Sequence, residues 1–454
     1  MDYKISFEKI LNEYRHKNKP VFVNFRELVD TVKFTERGMH SIHPYTAKLI
    51  CNIPYFFLNN SYFVCEKQKV LDPFCGSGTV LLESKIAKLK PFGSDANPLA
   101  RLITNVKCNI YDINKLIFHK ENLFILLKEI KSKTNIENRK NIDFWFEKNI
   151  QIQLSNIYKC VMSIEEQKYK EFYLVCFSNC VKKVSFADSR ISVPVKLNPE
   201  RYPESSQERL KYQNKIDELK TIDVVNKFFD IVNQNIKRVV KQKMFNDNMK
   251  ANIVSNDSRN LSNLKDETID LVLTSPPYAG AQKCIRASSL NLYWLGYNNL
   301  KVLDNENIGR ENYRKDEYKN LLVTGINDAD ILLQKIYKIN PLRAHIASNY
   351  LVEMKNAFIE SIRVLKKNKF LILVSSNNMV CGYEFKTQKF FKKNIGPSIF
   401  CIYLSLNQKK NNESLNYYSF NYYFQRNYYA GRRNAIEYLK NIEKAFREIR
   451  RLFL

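Results

Sequence analysis

The sequence of 454 residues lacks metal-binding cysteine pairs, long apolar runs and internal repeats. Its 10 cysteines run from Cys51 to Cys401 without a C-x-x-C pair, which argues against a zinc site. Cys176 and Cys180 fit one helix face, but no other ligand-spaced Cys or His lies nearby. The first twenty residues are charged throughout, and no apolar run approaches a membrane span. We therefore expect a soluble, cytoplasmic protein without a metal site.

Acidic residues are scarce: 46 Asp and Glu stand against 73 Lys and Arg, a formal net charge of +27. Such an excess favours a polyanionic partner, because phosphates that bind cationic side chains release their counterions. The alternative is an AT-rich genome, which raises the content of Lys, Asn, Ile and Tyr whatever the function. Nucleic acid is the partner that the charge favours.

Residues 70–100, VLDPFCGSGTVLLESKIAKLKPFGSDANPLA, predict a strand, a glycine loop, an amphipathic helix and a second strand. This β-loop-α-β unit is typical of the opening of a doubly wound sheet. Further strands are predicted in ANIVSNDSRNL and TIDLVLTSPPY, and residues 354–378 predict a helix, a Lys/Asn turn and a strand. We therefore predict an α/β fold with a Rossmann-like sheet that is split in sequence.

The two halves of this sheet are separated by a charged segment with helical periodicity. Its middle, SFADSRISVPVKLNPERYPESSQERL, has Pro and Ser at loop density. We divide the chain into a first core half with the cofactor loop (1–110), a large helical insertion (111–246), a second core half with the catalytic loop (247–382) and a basic carboxyl-terminal segment (383–454). This last segment is a candidate for DNA recognition, in which case its basic helix would bind DNA. The alternative is a packing helix whose arginines face solvent.

The glycine loop indicates which ligand the first core half binds. Gly76 and Gly78 allow a tight turn and let backbone N–H groups approach a ligand. The third glycine of the dinucleotide fingerprint is missing, which excludes a nicotinamide oxidoreductase. A carboxylate before the loop, Asp72, would repel a pyrophosphate and suits a sulfonium that carries an α-amino group.

Two further carboxylates follow strands, and a third candidate segment precedes the first strand. Asp95 is suited to ribose hydroxyls, or is the N-cap of the next helix, a role that Asn97 also fits. Asp257 is placed for an adenine amine, or is a turn residue. Upstream, HSIHPYTAKL puts His43 and Lys48 where a carboxylate can be met, or is an ordinary helix entry.

The stretch TSPPY follows an apolar strand and must be a stiff loop, because consecutive prolines hold the chain extended. Methylation of an exocyclic amine requires that conjugation with the ring is relieved, and acceptors on both N–H bonds favour a tetrahedral nitrogen. The Ser275 side chain and the Pro276 carbonyl provide two acceptors, Pro277 stiffens the loop, and Tyr278 can stack on an extruded base. The alternative is a plain Pro-Pro turn.

The motifs DPFCGSGT and TSPPY, with HPYTAK upstream and SSNNMVCGYEFKT downstream, resemble those of bacterial DNA amino-methyltransferases of restriction-modification type. FWF and VSFADSRISVP in the insertion are also similar to members of this family. The resemblance implies S-adenosyl-L-methionine as cofactor, double-stranded DNA as substrate and a cognate restriction endonuclease as a further partner, without a membrane. The cofactor residues that it implies are His43, Lys48, Asp72, Phe74, Gly76, Gly78, Thr79, Asp95 (ribose) and Asp257 (adenine). The catalytic residues that it implies are Ser275, Pro276, Pro277 and Tyr278.

The product that the resemblance favours is N4-methylcytosine, because Ser at the first position of the loop accompanies it more often than N6-methyladenine. A serine hydroxyl can also donate to a ring nitrogen such as cytosine N3. N6-adenine methylation is the alternative. The chain departs from the usual HPYPAKF and DINP with HPYTAKL and DANP, so that Thr46 leaves the first loop less rigid.

Two other classes of protein remain as alternatives. Transfer-RNA guanine-N2 methyltransferases share the glycine loop and a Pro-Pro-Tyr loop, but they have Asn before the prolines and an RNA-capture domain in front. A non-catalytic DNA-binding protein on the same fold is opposed by the intact glycine and catalytic loops. For recognition of the DNA sequence, we favour the segment GRENYRKDEYKN (309–320) and the part after Val380, which are rich in Arg, Lys and Tyr.

Overall fold

The computed structural model of the chain describes residues 2–29, 38–46, 48–130, 142–243, 250–280, 284–395, 400–408 and 416–423. The strands are β1 (Val21–Val23), β2 (Lys69–Asp72), β3 (Lys90–Ser94), β4 (Asn252–Ser255), β5 (Ile269–Thr274), β6 (Leu365–Val374), β7 (Asn378–Val380), β8 (Tyr383–Phe385), β9 (Phe400–Gln408) and β10 (Asn416–Tyr423). The helices before β4 are α1 (Lys4–Lys17), α2 (Phe25–Leu28), α3 (Asn52–Leu58), α4 (Thr79–Ile86), α5 (Pro98–Cys108), α6 (Ile113–Glu129), α7 (Ile142–Trp145), α8 (Lys148–Met162), α9 (Gln167–Lys183), α10 (Gln207–Thr221) and α11 (Val224–Lys243). Those after β4 are α12 (Cys284–Ala287), α13 (Ser289–Trp294), α14 (Leu300–Glu306), α15 (Asn327–Ile339), α16 (Pro341–Val364) and α17 (Thr387–Ile395), and short 3-10 helices span Gly38–Ser41 and Pro199–Arg201.

Eight strands form the central sheet in the order β1-β10-β9-β6-β5-β2-β3-β4. The pairs from β9 to β4 are all parallel, whereas β10 is antiparallel to both β9 and β1. Strands β7 and β8 form a separate antiparallel hairpin. The predicted α/β fold with a Rossmann-like sheet is confirmed.

The central strand β5 is buried along its whole length, as expected where helices cover both faces of a parallel sheet. Leu271 and Leu273 pack into one hydrophobic core, and Val272 between them packs into the other. This alternation is the two-residue period of a strand. One short run of apolar residues therefore joins the two layers of the domain.

The Lys/Asn turn predicted before the last core strand lies inside β6 instead. Ile269 of β5 pairs with Leu365, but Leu271 pairs with Phe370, so residues 366–369 form an irregular insertion in the strand. Asn368 within it has a positive φ of 58°, a conformation that asparagine tolerates better than most side chains. The residues that predicted a turn therefore form a bulge within the strand.

Helices α6 to α11 occupy the stretch between the two halves of the sheet, within residues 113–243. Their core is rich in aromatic residues, among them the fully buried Tyr169, Phe172 and Tyr173 on α9. The predicted helical insertion is thus present, while the domain borders drawn from the sequence stay predictions. Among the residues described here, no helix has the length and apolarity to cross a bilayer.

The carboxyl-terminal segment contributes to the central sheet, which the sequence analysis did not predict. Strands β9 and β10 extend the parallel sheet and then reverse its direction. Residues 424–454, which hold most of the predicted basic helix, lie outside the described residues. A role of the segment in DNA recognition stays a prediction.

Candidate active site

A cleft opens at the carboxyl ends of the parallel strands, beside the loops that follow β2, β3, β4 and β5. It encloses about 830 Å³ of empty space, counted out to its open mouth. The predicted site residues that line it are Phe74, Gly76, Asp95, Asp257, Ser275 and Pro277. The predicted cofactor and catalytic loops therefore border one cleft.

The cleft is acidic although the chain as a whole carries a net charge of +27. Its charged lining residues are four carboxylates, Asp95, Asp257, Asp304 and Glu306, and one cation, Arg310. Electrostatic complementarity therefore favours a positively charged ligand in this cleft over a pyrophosphate.

The glycine loop requires glycine for two different reasons. Gly76 and Gly78 have positive φ angles of 51° and 74°, which side chains adopt only at a cost. At Gly78, a Cβ would also come within 2.7 Å of Thr104 Oγ1. Gly76 lines the cleft, whereas Gly78 and the buried Thr79 form the start of α4 and do not line it.

Asp95 joins the glycine loop to the start of α5. Its Oδ2 accepts a hydrogen bond from Gly76 N at 2.8 Å, and its Oδ1 accepts one from Asn97 N at 2.9 Å. Burial raises the pKa of this carboxyl, and the two hydrogen bonds oppose that effect. Asn97 caps α5 through Leu99 N. The capping role considered for Asp95 therefore belongs to Asn97, and the Asp95 carboxylate lines the cleft.

Asp72 is buried and does not line the cleft. Its Oδ1 accepts hydrogen bonds from Phe74 N at 3.1 Å and from Thr274 Oγ1 at 2.5 Å. Burial raises the pKa of Asp72 to about 7. The carboxyl links the glycine loop to the catalytic loop, and its predicted contact with a cofactor stays a prediction.

His43 lies inside the protein. Its Nδ1 is 2.7 Å from the Pro44 carbonyl oxygen and its Nε2 is 3.0 Å from Ser178 Oγ. Burial lowers the pKa of His43 to about 3, so the ring is neutral. A neutral ring has one N–H, and the carbonyl can only accept, so Nδ1–H donates to Pro44 and Nε2 accepts from Ser178. His43 thereby ties its loop to α9.

Lys48 also binds protein groups. Its Nζ donates to the carbonyl oxygens of His40 at 3.1 Å and His43 at 2.8 Å. The residues of this segment that line the cleft are Tyr45 and Thr46. The sequence analysis selected His43 and Lys48 on either side of them, because a lysine is the more obvious partner of a carboxylate.

The catalytic loop is held by hydrogen bonds to its flanks. Ser275 Oγ donates to the Val374 carbonyl at 3.0 Å, and Tyr350 donates to the Pro277 carbonyl at 2.7 Å. Because the Ser275 proton is directed at β6, the lone pairs of its oxygen remain as acceptors. Donation from this hydroxyl to a ring nitrogen of the base stays a prediction.

The other two residues of the loop do not line the cleft: Pro276 is buried and Tyr278 is half-buried. The acceptor role of the Pro276 carbonyl and the stacking role of Tyr278 stay predictions. Among the described residues, no group of three or more His, Cys, Asp or Glu side chains is arranged to hold a metal ion.

Three known proteins with sequences similar to this chain are all named Type II methyltransferases. Type II methyltransferase M.MvaI of Kocuria varians is 26% identical over 414 residues, which cover 83% of this chain and 86% of that protein. Type II methyltransferase M.BsoBI of Geobacillus stearothermophilus is 24% identical over 459 residues, covering 89% and 87%. Type II methyltransferase M.MjaII of Methanocaldococcus jannaschii is 33% identical over 155 residues, covering 33% and 28%.

The chain is similar to Type II methyltransferases. With the first two relatives the similarity extends over most of the chain, far beyond the glycine and catalytic loops. The resemblance to restriction-modification methyltransferases predicted from the motifs is confirmed. No family model matches the chain, and no solved structure matches it significantly.

The sequence analysis did not select two arginines, Arg259 and Arg310, as residues of the site. The predicted Asp257 lines the cleft, and its carboxylate pairs with Arg259, whose Nε lies 2.9 Å from Asp257 Oδ1. The signal was present in SNDSR, where an arginine follows the acidic residue by two positions. Arg310 is the second residue of the segment selected for DNA recognition, yet it lines the cleft and its guanidinium lies over the Tyr313 ring at 4.2 Å.

Proposed function

We propose that this chain transfers a methyl group from S-adenosylmethionine to an exocyclic amine of a base extruded from DNA, with N4 of cytosine as the target atom. The observation that carries the proposal is one shared cleft. Ser275, whose oxygen is free to accept, lines the same space as Gly76 and Asp95 of the candidate cofactor site. A methyltransferase needs the methyl donor and the acceptor amine side by side.

The residues around the cleft fit S-adenosylmethionine. Asp95 offers a carboxylate for ribose hydroxyls, and Asp257 offers one for an adenine amine. The excess of carboxylates in the lining suits a ligand with an ammonium group and a sulfonium group. At Gly76, a Cβ would meet only Tyr45 within 4 Å, so the positive φ rather than lack of space calls for glycine there.

When bound, S-adenosylmethionine would supply an electrophilic methyl group on a sulfonium: an amine lone pair can form a bond to the methyl carbon while the carbon–sulfur bond breaks and the neutral thioether leaves. Ser275 accepts a hydrogen bond from one N–H of the amine, which favours a tetrahedral nitrogen and frees its lone pair. The bond from Ser275 to Val374 fixes the position of this acceptor. The hydroxyl is not a base, and the surplus proton leaves to water.

Two features support DNA as the substrate: the net charge of +27 and the similarity to Type II methyltransferases. A base inside a duplex is out of reach of a cleft, so the enzyme must extrude it. Among the enzymes that the motifs resemble, serine at the position of Ser275 accompanies cytosine N4 more often than adenine N6.

The experiment is methylation of DNA by the purified protein, followed by nucleoside mass spectrometry. We expect N4-methylcytosine, formed only when S-adenosylmethionine is present. Ser275→Ala should lower the rate strongly, whereas Ser262→Ala, an exposed loop residue before β5, should not. N6-methyladenine as the sole product would correct the target base, and 5-methylcytosine would refute the mechanism, because that product requires a cysteine nucleophile.

A further inference from the structure

Arg259 holds together three parts of the molecule, two of which line the cleft. Its Nε donates to Asp257 Oδ1 at 2.9 Å, at the end of β4. Its Nη1 donates to Glu353 Oε1 at 3.0 Å, on α16, and its Nη2 donates to the Glu306 carbonyl at 3.0 Å, at the end of α14. All three kinds of guanidinium nitrogen are therefore in use.

Glu353 extends this connection to the next turn of the chain. Its Oε2 accepts a hydrogen bond from Gly309 N at 3.3 Å, and Gly309 has a positive φ of 79°. The side chain of Glu353 is only 14% exposed. A buried carboxylate of this kind needs its cationic partner, because removal of one partner leaves an uncompensated charge.

The segment held in this way forms one side of the cleft. Residues 304–310, here called the cleft wall, contribute the lining residues Asp304, Glu306, Asn307, Ile308 and Arg310. Asp257, in the loop after β4, also lines the cleft. The hydrogen bonds of Arg259 thus connect the candidate adenine-binding carboxylate directly to the cleft wall.

We infer that Arg259 is a positioning residue for the cofactor site: it fixes the Asp257 carboxylate and the cleft wall relative to each other, and Glu353 is its counter-charge. This inference rests on the proposed function, since the ligand in question is S-adenosylmethionine. Arg259 acts through Asp257 and the wall rather than by contact with the ligand.

The planar fork of arginine is necessary for this role. A guanidinium presents five N–H donors in a fixed geometry, whereas a lysine ammonium is a point charge at the end of a flexible chain. Lysine at position 259 would keep the positive charge but would not reach Asp257, Glu353 and the Glu306 carbonyl together. The substitution Arg259→Lys therefore removes the positioning hydrogen bonds while it keeps the positive charge.

The chain contains a matched control for this substitution. Arg363 is also mostly buried, at 21% exposure of the side chain against 23% for Arg259. It donates to Glu360 and Asp266 and to the carbonyl oxygens of Leu261 and Leu264, but it does not line or border the cleft. Arg363→Lys thus removes a comparable fork at a place where no ligand is expected.

The test is calorimetric binding of S-adenosylhomocysteine to the full-length parent, Arg259→Lys and Arg363→Lys, with steady-state kinetics and thermal unfolding of each. We expect Arg259→Lys to weaken binding by about tenfold or more, the equivalent of one lost charge-assisted hydrogen bond. The KM for S-adenosylmethionine should rise while kcat at saturation changes little. Arg363→Lys should lower the unfolding temperature without changing the affinity.

Equal affinities of the two variants would overturn the positioning role while leaving the proposed function intact, whereas a parent protein that fails to bind S-adenosylhomocysteine would overturn both. Should Arg259→Lys fail to fold, Glu353→Gln decides the question. It keeps the shape of the side chain and an acceptor for Gly309 N, but it removes one of the two carboxylates that pair with Arg259. We expect weaker binding from it as well, and unchanged binding would refute the inference.

Discussion

Thr274 Oγ1 donates a hydrogen bond to Asp72 Oδ1 at 2.5 Å, and this bond connects the last residue of β5 to the last residue of β2. Thr274 is 1% exposed and Asp72 is 4% exposed. The next residue, Ser275, bonds to β6 on the other side. Two consecutive hydroxyls therefore attach the catalytic loop to both neighbouring strands.

Replacement of the threonine hydroxyl should disturb this attachment. We expect Thr274→Val, which keeps the shape, to lower kcat by about tenfold, because misplacement of a reacting group is costly and the bond to a carboxylate is strong. Thr274→Ser should restore most of the rate. Thr268→Val, before the start of the same strand, serves as control, and equal rates for the Val and Ser variants at 274 would contradict the prediction.

The titration of Asp72 should affect stability in a defined direction. Burial raises its pKa from 3.8 to about 7 in the folded protein, so between these two values the folded state keeps a proton that the unfolded state releases. Stability from this group therefore falls as the pH rises from about 4 to about 7. In denaturant unfolding, Asp72→Asn should gain stability relative to the parent as the pH rises through this window.

Asp188 provides the opposite case. Its hydrogen bonds with Arg190, together with one from Tyr212, hold the pKa of Asp188 well below its usual range. Stability from this group is present above the unfolded pKa and is lost as the pH falls. Asp188→Asn should therefore be destabilised at neutral pH and approach the parent in acid. If stability relative to the parent changed with pH in the same direction for Asp72→Asn and Asp188→Asn, the directions of the two pKa shifts would be wrong.

The contribution of Asp95 can be measured without catalysis. If its carboxylate accepts hydrogen bonds from ribose hydroxyls, Asp95→Ala loses bonds worth about 1.5 to 3 kcal/mol each, which is tenfold or more in affinity. Calorimetry with S-adenosylhomocysteine tests this. Asp112→Ala, which removes the N-cap of α6, is the control, and parental affinity in Asp95→Ala would show that the ribose assignment is wrong.

A comparison of Gly78 and Gly382 distinguishes the cost of a strained backbone conformation from the cost of a steric overlap. Both have a positive φ, of 74° and 83°, but a Cβ at Gly382 meets nothing within 4 Å, whereas one at Gly78 would overlap Thr104. Gly382→Ala should cost about 1 to 2 kcal/mol for the conformation alone. Gly78→Ala should cost about 1 to 3 kcal/mol more from overpacking. Thermal unfolding of both variants measures the difference in their loss of stability. Equal losses would show that Thr104 moves aside without cost and would contradict the prediction.

Binding of DNA by the segment 309–320 predicts a change in salt dependence. The side chain of Arg314 is 78% exposed, and a phosphate contact there should contribute about one unit to the slope of affinity against salt on logarithmic axes. Arg314→Ala should remove that unit. Lys17→Ala on α1, whose lysine is 62% exposed, should leave the slope unchanged, and equal slopes for all three proteins would place DNA elsewhere.

Elements with local signals were predictable from the sequence. The glycine loop, the strand before TSPPY and the apolar period of the helices depend on residues close together in the chain. The hairpin of β9 and β10 was missed because its aromatic and Asn-rich residues resemble a low-complexity segment, and pairing with β1 lies far away in sequence. Such pairings leave no mark within a short window.

Side-chain directions at the ends of strands were the other limit. Asp72 is the last residue of β2 and Asp95 directly follows the adjacent β3, but Asp72 bonds across to Thr274 while Asp95 lines the cleft. Arg259 was overlooked for the same reason, since its partners Glu306 and Glu353 lie 47 and 94 residues further along the chain. Sequence identifies the residue types, and only the fold decides which neighbour each one meets.

The pairing of β1 with β10 also affects synthesis of the chain. Val21 lies opposite Phe420, so an early strand leaves the ribosome and then waits for a partner about 400 residues later, which takes roughly 20 to 80 s at ordinary rates of translation. During that interval the growing polypeptide has an unfinished sheet edge that invites wrong pairing. The complete sheet can therefore form only after the ribosome has synthesised β10, which ends at Tyr423.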